Sequence, residues 1–241
     1  MTIKKTSEAQ RFSAGLSHSN TMLQKTTTLL LDLIFPPRCT GCDRVDYHWC
    51  ARCMKALDAV PITVQQQQVS DTLTVAATQL HEGILQRAVH GLKYENVLDV
   101  GHPLGKRLAE ALTQLNWQID TIVSVPLHTT RLTQRGYNQA NVIGDVAAHL
   151  HQIPFKPESV LRNRATQSQV TLNREERLTN MEGAFIAVPE HVTNKTILVI
   201  DDVFTTGATL VGVAQALTEA GATIVYGLTV TTASPLSTTK D

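Results

Sequence analysis

The chain has 241 residues, is 42% hydrophobic and 17% charged, and carries 21 Lys+Arg against 21 Asp+Glu, for a formal net charge of +0. This composition belongs to a soluble globular protein with room for one full-sized domain and a small accessory one. Balanced charge excludes a broad basic coat for nucleic acid but leaves room for a local patch. The longest apolar run, Leu29 to Phe35, is too short to span a bilayer and contains Asp32.

From the N-terminus, residues 1–28 are rich in Ser, Thr, Gln and Lys without a sustained period, which predicts a disordered tail. No apolar core precedes a small-residue cleavage site there, so the expected location is cytoplasmic, where thiols stay reduced. Leu29 to Phe35 is an apolar hook stopped by Pro36-Pro37; docking on the main domain is the expectation, and a membrane-surface anchor is disfavoured because no basic face accompanies it. Then come two Cys-x-x-Cys knuckles, Cys39/Cys42 and Cys50/Cys53, with seven residues between Cys42 and Cys50. Four thiolates so spaced suit tetrahedral Zn²⁺ in a closed, structural site. Redox use is the rival, although such motifs normally occur singly beside a βαβ unit. Gly41 gives the first knuckle room to turn its N–H groups toward sulfur, and His48 in the spacer is expected to face solvent. Residues 29–60 form this zinc-binding module.

Met54 to Val69, with Pro61 and the Gln65–Gln68 run, predicts a linker or an edge segment. A second unit spans 70–232. It opens with a strand over Leu73–Ala77, then a helix over 81–94 whose apolar face is Ile84, Leu85, Ala88, Val89 and Leu92. That helix ends in Lys93-Tyr94, where a cation also suits the helix dipole. A second amphipathic helix covers 98–115, with Pro103 in its first turn.

Residues 121–126 predict another buried strand, followed by a loop to Ala140 and a helix over 141–151. Arg131 and Arg135 in that loop can grip a pyrophosphate bidentately; an ordinary solvated basic loop is the alternative. The polar, basic stretch from Val160 to Phe185 holds Arg162, Arg164, Arg174 and Arg177 and reads as a mobile lid that excludes water from a reactive sugar phosphate.

The chain is organised around Ile197 to Leu210. Ile197–Ile200 is an unalternating apolar run, as in a parallel strand covered on both faces. Asp201 and Asp202 follow, suited to vicinal ribose hydroxyls or to a Mg²⁺ shell. Thr205, Thr206, Gly207, Ala208 and Thr209 then lead into a helix, whose N-terminal N–H groups favour an anion. An ordinary strand–turn–helix connection with a Thr cap is the plainer alternative. A final strand is expected over 223–230 and a frayed tail beyond, with 233–241 flexible.

The stretch from Ile197 to Thr209 resembles the phosphoribosyl pyrophosphate (PRPP) motif of type I phosphoribosyltransferases. That resemblance implies that Asp201 and Asp202, the catalytic candidates, face the ribose hydroxyls, and that Thr205 to Thr209 wrap the 5′-phosphate. The order of motifs is four cysteines, Lys93-Tyr94, SVPLHTTRLTQRGYNQA, RNRATQSQVTLNREERLTNMEGAF and the PRPP stretch. In that order the chain is similar to the ComF (ComFC/GntX-like) family over about 29–230, although it lacks the extra cysteines of many members. The expected fold is therefore α/β, type I phosphoribosyltransferase-like: a mainly parallel sheet of about five strands flanked by helices, with the zinc knuckle at its N-terminal side.

The resemblance implies two roles. One is a PRPP-pocket protein of natural competence that handles incoming single-stranded DNA in the cytoplasm beside a helicase or recombination-loading protein. The other is an active transferase that moves ribose 5-phosphate from PRPP, with Mg²⁺, to an acceptor the sequence does not identify. For DNA, Tyr94, Tyr137 and Trp49 are the candidate stacking platforms, with Arg162, Arg164 and Arg174 along the backbone.

Overall fold

The computed structural model describes residues 36–163, 181 and 183–236. The expected tail, the Leu29–Phe35 hook and the lid residues Arg164, Arg174 and Arg177 lie outside the described residues.

The order is α1 (Ala51–Asp58), β1 (Gln65–Ser70), β2 (Leu73–Ala77), α2 (Gly83–Tyr94), α3 (Gly101–Leu115), β3 (Thr121–Ser124), α4 (Thr129–Arg135), α5 (Gln139–His151), β4 (Val160–Arg162), β5 (Phe185–Ala187), α6 (Pro189–Val192), β6 (Thr196–Phe204), α7 (Ala208–Glu219) and β7 (Ile224–Thr232). Five strands form one sheet in the order β1-β2-β7-β6-β3. The pairs β2–β7, β7–β6 and β6–β3 are parallel, and β1 joins β2 antiparallel at the edge. The fold is thus α/β with a mainly parallel sheet, as expected.

Helices cover both faces. Leu85 and Leu92 of α2, Leu104 and Leu108 of α3 and Ile143 of α5 pack with Leu198, Ile200 and Leu228. On the other face Leu210, Val213 and Leu217 of α7 pack with Ile197, Val199 and Val225. Ile197, Leu198, Val199 and Ile200 are each 0% exposed, which explains why the sequence shows no alternation there. The cysteine segment belongs to the first of these layers: Cys39, Trp49, Cys50, Cys53 and Leu57 join the same apolar cluster as Leu85, Val89 and Leu104.

Several segments differ from expectation. Of the linker or edge segment expected over residues 54–69, the edge reading holds for Gln65–Ser70, which alternates half-buried and exposed at the sheet edge, whereas the start of the stretch belongs to helix α1, which grows directly out of the second knuckle. Between them, buried Arg107 donates to Val60 O at 2.8 Å, to Pro61 O, and to Thr78 Oγ1 at 2.6 Å, pinning the crossing chain to the domain. The expected loop at 127–140 contains helix α4. Its N-cap is His128, whose Nδ1 accepts from Thr130 N at 3.3 Å, and Gly136 ends it. The lid stretch is anchored at both ends by the antiparallel pair β4–β5. The start of the expected tail is fixed, not frayed: β7 runs to Thr232, Leu236 is 7% exposed, and its N–H donates to Gln65 Oε1 at 2.9 Å. No helix among the described residues is long and apolar enough to cross a membrane.

Candidate functional site

Strand β6 does not stop at Ile200. It continues through the acids to Phe204, because β7 offers Thr229, Thr231 and Thr232 as partners for Asp201, Val203 and Phe204. The two acids therefore obey strand alternation. Asp202 follows Leu198 and Ile200 toward the α2 side, and Asp201 follows Ile197 and Val199 toward the α7 side. They reach the end of the sheet from opposite faces rather than as a simple pair.

Asp202 is 4% exposed. Its Oδ1 lies 2.6 Å from Lys93 Nζ, in the last turn of α2. Its Oδ2 is buried and has no hydrogen-bond partner among the described residues. The Asp202 N–H donates to Asp201 Oδ1 at 2.9 Å. Burial, and then the charge of Asp202, push the Asp201 carboxyl up to about 7. Burial works against the Lys93 ammonium, but the adjacent Asp202 carboxylate outweighs it and raises its pKa. His81, whose Nδ1 sits 2.7 Å from Thr231 Oγ1, is held below the ordinary histidine value by burial and by Lys93.

The turn after β6 supplies the anion end. Gly207 has φ +81, and a Cβ there would lie 2.9 Å from the Phe204 ring, so both conformation and space call for glycine. Helix α7 starts at Ala208, and no side chain caps its first turn, which leaves its N–H groups directed outward. Thr205 is exposed, and Thr206 and Thr209 are half-buried around this turn.

The arginine loop closes the third side. Arg131 and Arg135 line a cleft of about 400 Å³ together with Lys93, Tyr94 and Tyr137. The Arg135 guanidinium sits 5.5 Å above the Tyr94 ring and donates to Gln139 Oε1. The Tyr137 hydroxyl donates to Leu92 O. Burial and Arg131 lower the pKa of Arg162 while Asp201 opposes them, so the one described lid arginine lies within reach of the charges of Arg131 and Asp201. Tyr94 is 69% exposed, although Arg135 lies over its ring and the His90 ring is 4.9 Å away, whereas Trp49 is buried and is corrected as a stacking candidate. Lys93 and His81 were missed as site residues. The sequence showed Lys93-Tyr94 only as a basic–aromatic helix end, and nothing local reveals that it meets Asp202.

The Asp201 shift gives a signed prediction. A carboxyl raised from its unfolded value destabilises the fold as pH rises from about 4 through about 7, because the folded state holds the proton more tightly. Asp201→Asn should therefore melt higher than the parent at pH 8 and nearly equal to it at pH 4. Each kcal/mol of relief is worth roughly 2–4 °C. Melting curves across that range test it, and equal curves at pH 8 would count against the shift.

The four cysteine Sγ atoms all lie within 4.8 Å of one another. Cys42 and Cys50 sulfurs are 3.6 Å apart, and the Cys50 N–H donates to Cys39 Sγ at 3.3 Å. A backbone hydrogen bond at Arg44 pulls the Cys42 thiol down to about 6. Gly41 is tight: a Cβ would come within 2.6 Å of Cys53 Sγ, so its role is clearance. Convergent soft donors of this kind can hold a metal ion such as Zn²⁺. His48 is exposed.

No family model matches the chain. It is 32% identical over 148 residues to DNA utilization protein YhgH of Escherichia coli K12, covering 58% of this chain and 64% of that protein. It is 25% identical over 197 residues to Competence protein F of Haemophilus influenzae, covering 76% and 85%. Competence protein ComFC of Streptococcus pneumoniae is 36% identical over 100 residues, 42% of each chain. The chain thus spans 64% of the length of the YhgH relatives. Among solved structures, adenine phosphoribosyl transferase from Trypanosoma brucei aligns with a TM-score of 0.39 at 13% identity over 77% of this chain and 81% of that one. At that score the fold rests on the strand order itself.

Proposed function

We propose that the chain is a ComF-family protein, as its likeness to Competence protein F and ComFC supports, and that the cleft at the C-terminal edge of its sheet binds PRPP or a closely related ribose phosphate. The observation that carries the proposal is the sequence of features along β6 and α7. An acid pair lies near the C-terminal end of β6, a turn through Thr205, Thr206 and Gly207 follows the strand, and an uncapped helix N-terminus stands behind it. An anion on the helix end and hydroxyls on the acids are complementary to a 5-phosphorylated ribose.

In this assignment Asp201 and Asp202 accept from the ribose hydroxyls. Thr205, Thr206, Gly207, Ala208 and Thr209 hold the 5′-phosphate, and Arg131 and Arg135 hold the pyrophosphate. Mg²⁺, when bound, neutralises diphosphate oxygens; Asp202 already has a cation in Lys93. Zn²⁺ is assigned to Cys39, Cys42, Cys50 and Cys53 as a structural ion.

Transfer, where it occurs, follows from the same charges. The C1–O bond to pyrophosphate breaks, the electron pair leaves with the diphosphate toward the arginines, and the carboxylates stabilise the cationic ribose until the acceptor's lone pair closes on C1. The names of the relatives, DNA utilization and competence, support a role in DNA uptake. The protein then handles incoming single-stranded DNA in the cytoplasm with a competence helicase or a recombination-loading protein. Active transfer of ribose 5-phosphate to an unidentified acceptor is the second reading, favoured by the placement of both acids at the strand end.

Thermal melting tests the pocket. At 100 times its Kd, a ligand adds about 2.7 kcal/mol and should raise the melting temperature by roughly 5–10 °C. Ribose 5-phosphate should do this for the parent and not for Asp201→Asn/Asp202→Asn. An equal rise in both proteins would remove the acids from the site.

A further inference from the structure

Lys93 belongs to two places at once. Its Nζ lies 2.6 Å from Asp202 Oδ1, and its side chain lines the same cleft as Arg131 and Arg135. Asp202 is 4% exposed, and its second oxygen has no hydrogen-bond partner among the described residues. A buried carboxylate with half of its acceptor capacity unused is costly, and a hydroxyl donated to it would relieve that cost.

Arg135, one of the two arginines of the cleft, is less free to move. It is tied to Gln139 and lies over Tyr94. Lys93, by contrast, presents three donors on a flexible four-carbon stem and changes partner by rotating side-chain bonds alone. Its side chain is 21% exposed, on the side of the cleft.

We infer that Lys93 is the exchangeable counter-ion of this site, neutralising Asp202 in the empty cleft and turning to the diphosphate once ribose hydroxyls engage Asp202. This rests on the reading of the cleft as a site for a diphosphorylated sugar. Its consequence is coupling between the two halves of the ligand. Inorganic pyrophosphate alone must draw Lys93 away and strand a buried carboxylate, so it binds weakly. The sugar, by satisfying Asp202, releases the lysine and strengthens the diphosphate contact. That is a coupling free energy between two subsites, with Lys93 as the element both of them bias.

The test compares two variants that leave no unpaired carboxylate at position 202. Inorganic pyrophosphate at fixed Mg²⁺ is titrated calorimetrically into the parent, Asp202→Asn and Lys93→Met/Asp202→Asn, with PRPP titrated into the parent alongside. Asp202→Asn frees Lys93 and should bind pyrophosphate about tenfold or more tightly than the parent, the worth of one charge-assisted hydrogen bond. Lys93→Met/Asp202→Asn should lose that gain. Retention of the gain in the double variant overturns the inference, since removal of negative charge alone would then account for it. Equal pyrophosphate affinity in all three proteins, with PRPP still bound by the parent, overturns the inference and leaves the sugar-phosphate site standing. Absence of binding by pyrophosphate and PRPP alike overturns both.

Discussion

On the proposed assignment of Zn²⁺ to the four-cysteine cluster, chelation, or replacement of Cys39 by Ser, is expected to lower the melting temperature of the whole chain by more than about 10 °C in a single transition. The size follows from where the cluster sits. Cys39, Cys50 and Cys53 are 2%, 1% and 3% exposed, and with Trp49 and Leu57 they pack in the same apolar cluster as Leu85, Val89 and Leu104. Four thiols within 4.8 Å of one another are poorly arranged without a cation: burial pushes Cys53 upward, while hydrogen bonding pulls Cys42 down. Structural Zn²⁺ supplies about 10–16 kcal/mol in small peptides, comparable with the roughly 5–15 kcal/mol that holds a whole domain together. Losing even about 5 kcal/mol of it shifts melting by roughly 10–20 °C at this chain size. Calorimetric melts with and without chelator, beside a metal assay, check the expectation. An unchanged melting temperature in chelator would show that the cluster needs no metal.

The second large effect belongs to Lys93→Ala. Its ammonium is the one ionic partner that Asp202 has among the described residues, and the Asp202 side chain is 5% exposed. Deleting it leaves a buried carboxylate uncompensated, which costs about 3–5 kcal/mol. Melting should fall by roughly 6–20 °C. Asp202→Asn in the same background should restore most of the loss, because it removes the stranded charge. A Lys93→Ala protein as stable as its parent would mean that the ion pair forms in contact with solvent and carries little weight. Failure of Asp202→Asn to rescue would mean that Lys93 acts through packing of its stem instead.

The first of these effects rests on a motif legible in the sequence, the second on a contact that is not. The cysteine spacing, the apolar run at Ile197–Ile200 and the glycine turn were legible because each follows a local rule: ligand spacing, two-sided burial, a left-handed residue. The length of β6 was not, since apolar pattern reports burial and not pairing. Asp201 to Phe204 continue the strand only because Thr229 to Thr232 stand opposite. The same pairing puts the two acids on opposite faces, which the adjacent letters Asp-Asp do not suggest. Helix α4 escaped because TTRLTQR has no apolar stripe, and none of its residues is buried. Its His128 cap and Gly136 stop were the available signals. Helix α1 escaped because its buried positions are Cys53 and Leu57, and Cys53 reads first as a ligand. Lys93 was visible, but its partner lies 109 positions away, and only the packing of α2 on β6 brings the two together.

The most direct measurement of the central claim is calorimetric titration of Mg²⁺–PRPP into the metal-loaded protein and into Asp201→Asn/Asp202→Asn. The prediction is saturable heat with one ligand per chain in the parent and an affinity at least about tenfold lower in the variant, which loses the ribose contacts and keeps only the diphosphate ones, with both proteins folded by circular dichroism. No heat from the folded parent, or equal affinity in the variant, would contradict a sugar-phosphate site at the end of β6.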